Sequence, residues 1–189
     1  MARPWLWRPP WYRDFVLTSL PHGSTGAEIG VFRGDFSERI LRVAAPRQLF
    51  LVDPWKRSEE VASHIWGRET AQEKLDSMHA AVRARFAARP EVRVERLTSL
   101  EFAARLPNQS LDWVYLDGDH REEAVFQDLE AFWPKLRPGG VLAGDDYHRP
   151  RAWFSDGVTK GTRRFSAAHR LTLRTPGRHQ FLLSRGADG

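Results

Sequence analysis

The sequence predicts an α/β domain with a mostly parallel sheet covered by helices on both faces. Two observations carry that prediction. Between residues 26 and 146, apolar strand-like runs alternate with segments of helical periodicity, the pattern that crossovers between parallel strands impose. Several of those runs also end on carboxylates, at the edge where sheets of this kind bind their ligands. The length of 189 residues suits one ordinary domain with a full core.

Taken in order, GAEIGV (26–31) is the first strand and its turn. In the helix that follows, Asp35 and Glu38 have capping-box spacing, and Phe36, Ile40 and Leu41 share a face. QLFLVD (48–53) is the second strand. Residues 58–88 read as helical: Ala71, Leu75, Met78, Val82 and Phe86 step at three and four, and Pro90 lies beyond. VRVERL (92–97) and LDWVYLD (111–117) are the next strands, with a short helix over 100–106 between them. A helix from about Arg121 turns Val125, Leu129, Phe132 and Leu136 inward, and Pro134 is expected to distort or end it. Pro138-Gly139-Gly140 leads into VLAGDD (141–146), the fifth strand. LTLRT (171–175) and QFLLS (180–184) flank Pro176-Gly177 and are expected to close the sheet as an antiparallel pair.

Composition narrows the chemistry. With no cysteine, disulfides, thiolate metal sites and cysteine nucleophiles are all excluded. The seven histidines are scattered without an H-E-x-x-H, and neither G-x-S-x-G nor a P-loop occurs. The proline-broken N-terminus has no signal-peptide core and no segment approaches a membrane span, so a cytoplasmic protein is expected. Residues 148–185 hold nine Lys/Arg against the single acid Asp156. That basic third is either a solvated surface or a place for an anionic partner.

The fold rule gathers Glu28, Asp53, Asp117 and the pair Asp145/Asp146 along one sheet edge. Clustered carboxylates need a counter-charge, so something positive is expected among them. The turn Gly30-Val31-Phe32-Arg33-Gly34 lacks the second glycine of a dinucleotide fingerprint: Phe32 obstructs the backbone approach that a pyrophosphate requires. Glu28 also puts negative charge where a phosphate would sit. A ligand with an ammonium, a carboxylate and a ribose fits better, with Glu28 on the ammonium, the helix N-terminus on the carboxylate and Asp53 on the ribose hydroxyls. S-adenosylmethionine is such a ligand.

On AEIGVFRGDFS (27–37), LFLVDPW (49–55), VYLDGDH (114–120) and LRPGGVLAGDDY (136–147), the chain resembles the class I S-adenosylmethionine-dependent methyltransferases. Within them it is similar to the macrocin O-methyltransferase-like group of small-molecule and sugar O-methyltransferases. The resemblance implies a Rossmann-like seven-stranded sheet whose last hairpin places one strand antiparallel. It assigns Glu28, Gly30, Gly34 and Ser37 to the methionine-binding turn, Asp53 to the ribose, Trp55 to adenine packing and Ser99 to the adenine amino group. It makes Asp117, Asp145 and Asp146 the carboxylates of a divalent-metal site, Asp146 standing where Asn is common.

Three carboxylates without a thiolate suit Mg²⁺, or Mn²⁺. His120, three residues after Asp117, is the expected base for the acceptor hydroxyl, with Asp117 the alternative; a third reading keeps His120 as a partner of Asp117 only. Asp119 is expected to cap or face solvent. Tyr147 and His148 either touch the acceptor or pack. Residues 1–23, with Trp5, Trp7, Trp11, Tyr12 and Phe15, form an aromatic segment that is a lid, a homo-oligomer contact, a sugar-stacking surface or a pinned arm. Residues 24–185 form the catalytic domain and 186–189 a tail. The expected activity is metal-dependent methyl transfer to a hydroxyl of a sugar or natural-product-like small molecule. An RNA methyltransferase using the basic third, and a non-catalytic binding protein that keeps the pocket, are the rivals. The acidic site disfavours nucleic acid.

Overall fold

The computed structural model describes residues 13–56, 72–148, 156–177 and 179–186. A short helix α1 (Asp14–Leu17) leads to strand β1 (Thr25–Ile29), helix α2 (Asp35–Val43) and strand β2 (Gln48–Val52). Then come α3 (Gln72–Arg85), β3 (Val92–Glu95), α4 (Ser99–Arg105), β4 (Leu111–Leu116) and α5 (Glu122–Phe132). A 3₁₀ turn (Trp133–Lys135) carries Pro134 and ends α5, as the proline demands. Strand β5 (Leu136–Gly144), helix α6 (Gly157–Ala168) and strand β6 (Phe181–Ser184) complete the described chain. No described helix is long and apolar enough to cross a membrane.

The sheet has the order β3-β2-β1-β4-β5-β6, parallel except for β6, which runs antiparallel to β5. Successive residues of β4 divide between two cores, as pleating requires. Trp113 and Tyr115 join Val16 and Leu17 of α1, Ile40 of α2 and Leu75, Met78 and Val82 of α3. Val114 and Leu116 join Phe102 of α4, Val125, Leu129 and Phe132 of α5 and Phe165 of α6. The predicted apolar positions of α3 from Leu75 to Phe86 are all buried, while Ala71 lies outside the described residues.

Two expectations need correction. The seventh strand does not form among the described residues: of LTLRT, Arg174 makes one isolated antiparallel bridge with Leu182. The reason is the end of α6. Arg170 is left-handed (φ 53°), its N–H bonds the Ala167 carbonyl and that of Leu171 the Ser166 carbonyl, so the first residues of the run close a helix in Schellman fashion rather than start a ladder. The capping box expected at α2 is absent as well. Gly34 is its N-cap, and Asp35 and Glu38 both bind Arg85 (2.7 Å each). Such a box does form at α4, between Thr98 and Glu101. Val16 and Leu17 of α1 are buried, as is Leu20 just beyond it, and Phe15 is 58% exposed. Trp5, Trp7, Trp11 and Tyr12 of the aromatic segment, and His64 and Trp66 of the 58–88 run, lie outside the described residues.

Candidate functional site

Four strands end together and carry the site. Gly30 N–H bonds the Val52 carbonyl (2.9 Å), Asp117 N–H the Ile29 carbonyl (2.8 Å) and Asp145 N–H the Leu116 carbonyl (3.1 Å). The acids that follow β2, β4 and β5 are therefore brought to one edge. Gly30 sits at φ 92°, and a Cβ there would run into the Asp117 carbonyl. Only glycine lets β1 turn so close to β4.

Beneath that turn Glu28 is buried in β1 and accepts from Ser37 Oγ at 2.5 Å. Burial, with Asp117 adding to it against the Ser37 hydrogen bond, pushes its carboxyl up to about 8. Gly34 takes φ 78° as N-cap of α2, so Glu28, Gly30, Gly34 and Ser37 form one unit. Asp53 braces it. Its Oδ2 accepts from Val31 N–H (3.1 Å) and Phe32 N–H (2.9 Å), and its Oδ1 from Trp55 N–H (2.7 Å). Three of the roughly four acceptor positions of a carboxylate are thereby taken by backbone. Burial raises the Asp53 carboxyl despite those bonds.

Trp55 is buried at 2%, at φ 38°; its indole N–H donates to the Phe32 carbonyl (2.9 Å) and its ring meets His79 at 4.8 Å. It fastens the turn from the core side. Ser99, in the first turn of α4, donates to Asp128 Oδ1 at 2.5 Å. Asp128 lies on the inward face of α5, where burial pushes its carboxyl up to about 7. The Val125, Asp128/Leu129, Phe132 step of the sequence places that acid inward, beside the apolar members of the same face.

A second cluster lies at the ends of β4 and β5. Leu116, Asp117, His120, Asp128, Asp145 and Phe181 are among the residues that line a cavity there. Asp117, His120 and Asp146 each offer a ligand atom, all within 4.8 Å of one another. His120 Nε2 is 3.1 Å from Asp146 Oδ2 and 3.6 Å from Asp117 Oδ1. Asp145 is not in that group. Its buried carboxylate pairs with Arg13, whose guanidinium also lies 2.8 Å from Asp117 Oδ2 and 4.6 Å over the Phe36 ring. The expected three-carboxylate set is thus divided, one member held by an arginine from just before α1. Sequence periodicity gives no signal for Arg13, only the demand for some positive group. Asp119 holds Arg121, accepting from its N–H (2.9 Å) and its guanidinium (2.5 Å). Tyr147 is buried, with Arg163 Nε donating to its hydroxyl (3.2 Å), while His148 is exposed.

A family model described as a methyltransferase domain matches residues 27–147. No curated protein matches the chain. Among solved structures, a protein from Corynebacterium glutamicum superimposes with TM-score 0.63 at 20% identity, covering 96% of this chain and 83% of that one. The O-methyltransferase NovP superimposes with TM-score 0.60 at 20% identity, over 93% of this chain and 76% of that one. A protein described as an rRNA methylase, from Clostridium thermocellum, gives TM-score 0.67 at 10% identity, over 94% and 95% of the two chains. At such identities these structures share the fold.

Proposed function

We propose that this chain, which belongs to the methyltransferase-domain family, transfers a methyl group from S-adenosylmethionine to a hydroxyl of a sugar or natural-product-like small molecule. The observation that carries the reading is Glu28. A buried carboxyl that accepts a hydrogen bond from a serine hydroxyl, under a glycine turn at a helix N-terminus, suits a ligand that brings its own ammonium.

In the transfer, an acceptor oxygen attacks the methyl carbon in line with the sulfonium. The carbon–sulfur bond breaks with its electrons going to sulfur, leaving S-adenosylhomocysteine, and the hydroxyl proton must leave. In this reading His120 takes it, a role supported by Asp146 and Asp117, whose oxygens 3.1 and 3.6 Å from Nε2 would stabilise the imidazolium that results. Positioning supplies much of the rate, because the sulfonium is already activated. The donor set fits a divalent ion, with Asp117, His120 and Asp146 as the residues that would hold it. Such an ion, Mg²⁺ or Mn²⁺, would orient an acceptor hydroxyl and lower its pKa. His120 therefore has two candidate roles, and His120→Ala separates them. Metal binding kept with turnover lost makes it the base, whereas metal binding lost makes it a ligand.

The test of the whole reading is calorimetric titration of S-adenosylhomocysteine into the full chain, with Mg²⁺ and then with a chelator. Micromolar-range binding is expected, weakened by the chelator. Absence of binding in both conditions overturns the methyltransferase reading in favour of a binding protein of other specificity.

A further inference from the structure

Arg163, like Arg47 and Arg185, is held by neutral partners and is not among the described arginines that pair with a carboxylate. Arg85, Arg96, Arg121, Arg137 and Arg164 each hold a carboxylate, and Arg13 holds two. Among the described residues, no carboxylate lies within ion-pair distance of Arg163. Its guanidinium is held instead by neutral partners. Nε donates to the Tyr147 hydroxyl (3.2 Å), and Nη2 is 3.4 Å from His148 Nε2. Because a guanidinium can only donate, the second contact makes the His148 nitrogen the acceptor. Two of five N–H donors are so engaged, and the Arg163 side chain is exposed.

Those partners fix where the charge stands. Tyr147 and His148 are the two residues after Asp146, so their Cα atoms lie within roughly 4 and 8 Å of that acid's Cα. Tyr147 is buried, its ring meeting His148 at 4.2 Å and Phe181 at 6.4 Å, and Phe181 lines the site cavity. His148 N–H bonds Thr159 Oγ1 (2.8 Å), one helical turn before Arg163 on α6, and Val158 beside it also lines the cavity. The buried Tyr147 ring and the contacts to Tyr147 and His148 hold the guanidinium on the segment that follows Asp146, so its order does not depend on a counter-ion.

We propose that Arg163 and His148 form an anion-binding subsite and that the acceptor carries a carboxylate or a phosphate-like group beside the hydroxyl to be methylated. This rests on the methyltransferase reading and adds the substrate class to it. The acid cluster takes the hydroxyl end, and the guanidinium fork takes the anionic end, for which a bidentate pair is the natural geometry. The pairing also explains how an acidic site admits an acid: the like charges are separated, and the acceptor's anion meets a cation that no other group neutralises among the described residues.

The probes are 3,4-dihydroxybenzoate and its neutral amide, matched in shape and in vicinal hydroxyls. Each is titrated by calorimetry into the full chain, with and without saturating S-adenosylhomocysteine, for wild type, Arg163→Gln and Arg164→Gln. The expected result is at least tenfold tighter binding of the benzoate by wild type. That margin is lost in Arg163→Gln and kept in Arg164→Gln, and all three proteins bind S-adenosylhomocysteine alike. Equal binding of both probes, binding of neither, or a margin that survives in Arg163→Gln overturns the subsite. A single-stranded RNA whose affinity falls in Arg163→Gln, with the two probes bound alike, assigns the guanidinium to a nucleic-acid backbone and overturns it too. Failure of wild type to bind S-adenosylhomocysteine counts against the cofactor reading alone, because the probe comparison is also read on the free chain.

Discussion

Arg13 Nη2 lies 2.8 Å from Asp117 Oδ2. The counter-charge that the clustered acids require is thus supplied, at least in part, by the chain itself. The same guanidinium pairs with Asp145, whose side chain is fully buried, and is itself only 16% exposed. Asp117 is divided between two environments, one oxygen toward Arg13 and the other toward His120. The arginine side neutralises charge, and the histidine side stays available to chemistry.

Arg13→Met should therefore be costly. Removing one partner of a buried pair leaves the other as an uncompensated charge, and losses of about 3 kcal/mol are typical. Urea denaturation should show that loss in metal-free buffer. Added Mn²⁺ should recover more stability for Arg13→Met than for wild type, since the vacated acids then attract a divalent ion. Equal Mn²⁺ effects on both proteins would show that the ion and Arg13 do not share Asp117.

The strands and the acids at their ends were legible because burial writes itself into short apolar runs and because carboxylates that follow such runs stand out. Asp117 and Asp146 came together as expected for that reason. Contacts set by tertiary packing left no comparable mark. Arg13 reaches Asp117 across more than a hundred residues, and nothing around it in sequence distinguishes it from other surface arginines. The hydrogen bond from the Trp55 indole N–H to the Phe32 carbonyl, made at a positive φ, was likewise unmarked in the sequence. LTLRT has the composition of a strand, yet the helix before it claims its first residue for a C-terminal cap.

Glu28 and Asp128 should make the ligand-free chain less stable as pH rises. Both are raised in the folded state, to about 8 and about 7, from ordinary values of 4.5 and 3.8. The unfolded chain releases these protons near pH 4, while the folded chain keeps them to higher pH. Their contribution is full below about pH 4 and is lost as pH climbs through each folded value, by at most about 1.4 kcal/mol per pH unit per group. Urea midpoints measured from pH 5 to 8 should fall. Glu28→Gln should flatten the curve up to about pH 8, and Asp128→Asn up to about pH 7. A wild-type curve that rises across this window would contradict the burial assigned to both carboxyls.

Cofactor binding should then release a proton. An ammonium brought against Glu28 favours its carboxylate, so a group protonated in the free chain ionises in the complex. Titrations of S-adenosylhomocysteine at pH 7 in two buffers of different ionisation enthalpy should differ by the heat of up to one proton. In Glu28→Gln the buffer dependence should disappear. If it persists unchanged there, the proton comes from elsewhere and Glu28 does not meet the ammonium.

Asp53→Asn tests whether this residue is a brace, a ribose ligand or both. Asparagine keeps one acceptor oxygen and turns an NH₂ toward backbone N–H groups, which cannot accept it. In one orientation Trp55 N–H loses its partner, and in the other Val31 and Phe32 N–H lose theirs. A buried donor left unsatisfied costs about 1–3 kcal/mol, and the first orientation, which strands one donor, is the cheaper. A pure brace predicts that loss in urea denaturation and a weaker affinity that is equal for S-adenosylhomocysteine and its 2′-deoxy analogue. A ribose ligand predicts more: wild type prefers the hydroxylated compound, and Asp53→Asn shrinks the preference. Only Oδ1 has a clear acceptor position left, so one hydroxyl at most should be read directly. A shrinkage of about tenfold is therefore expected for the 2′-deoxy or the 3′-deoxy compound but not for both. Loss of both preferences together would mean that the carboxylate swings away from the turn when the cofactor binds.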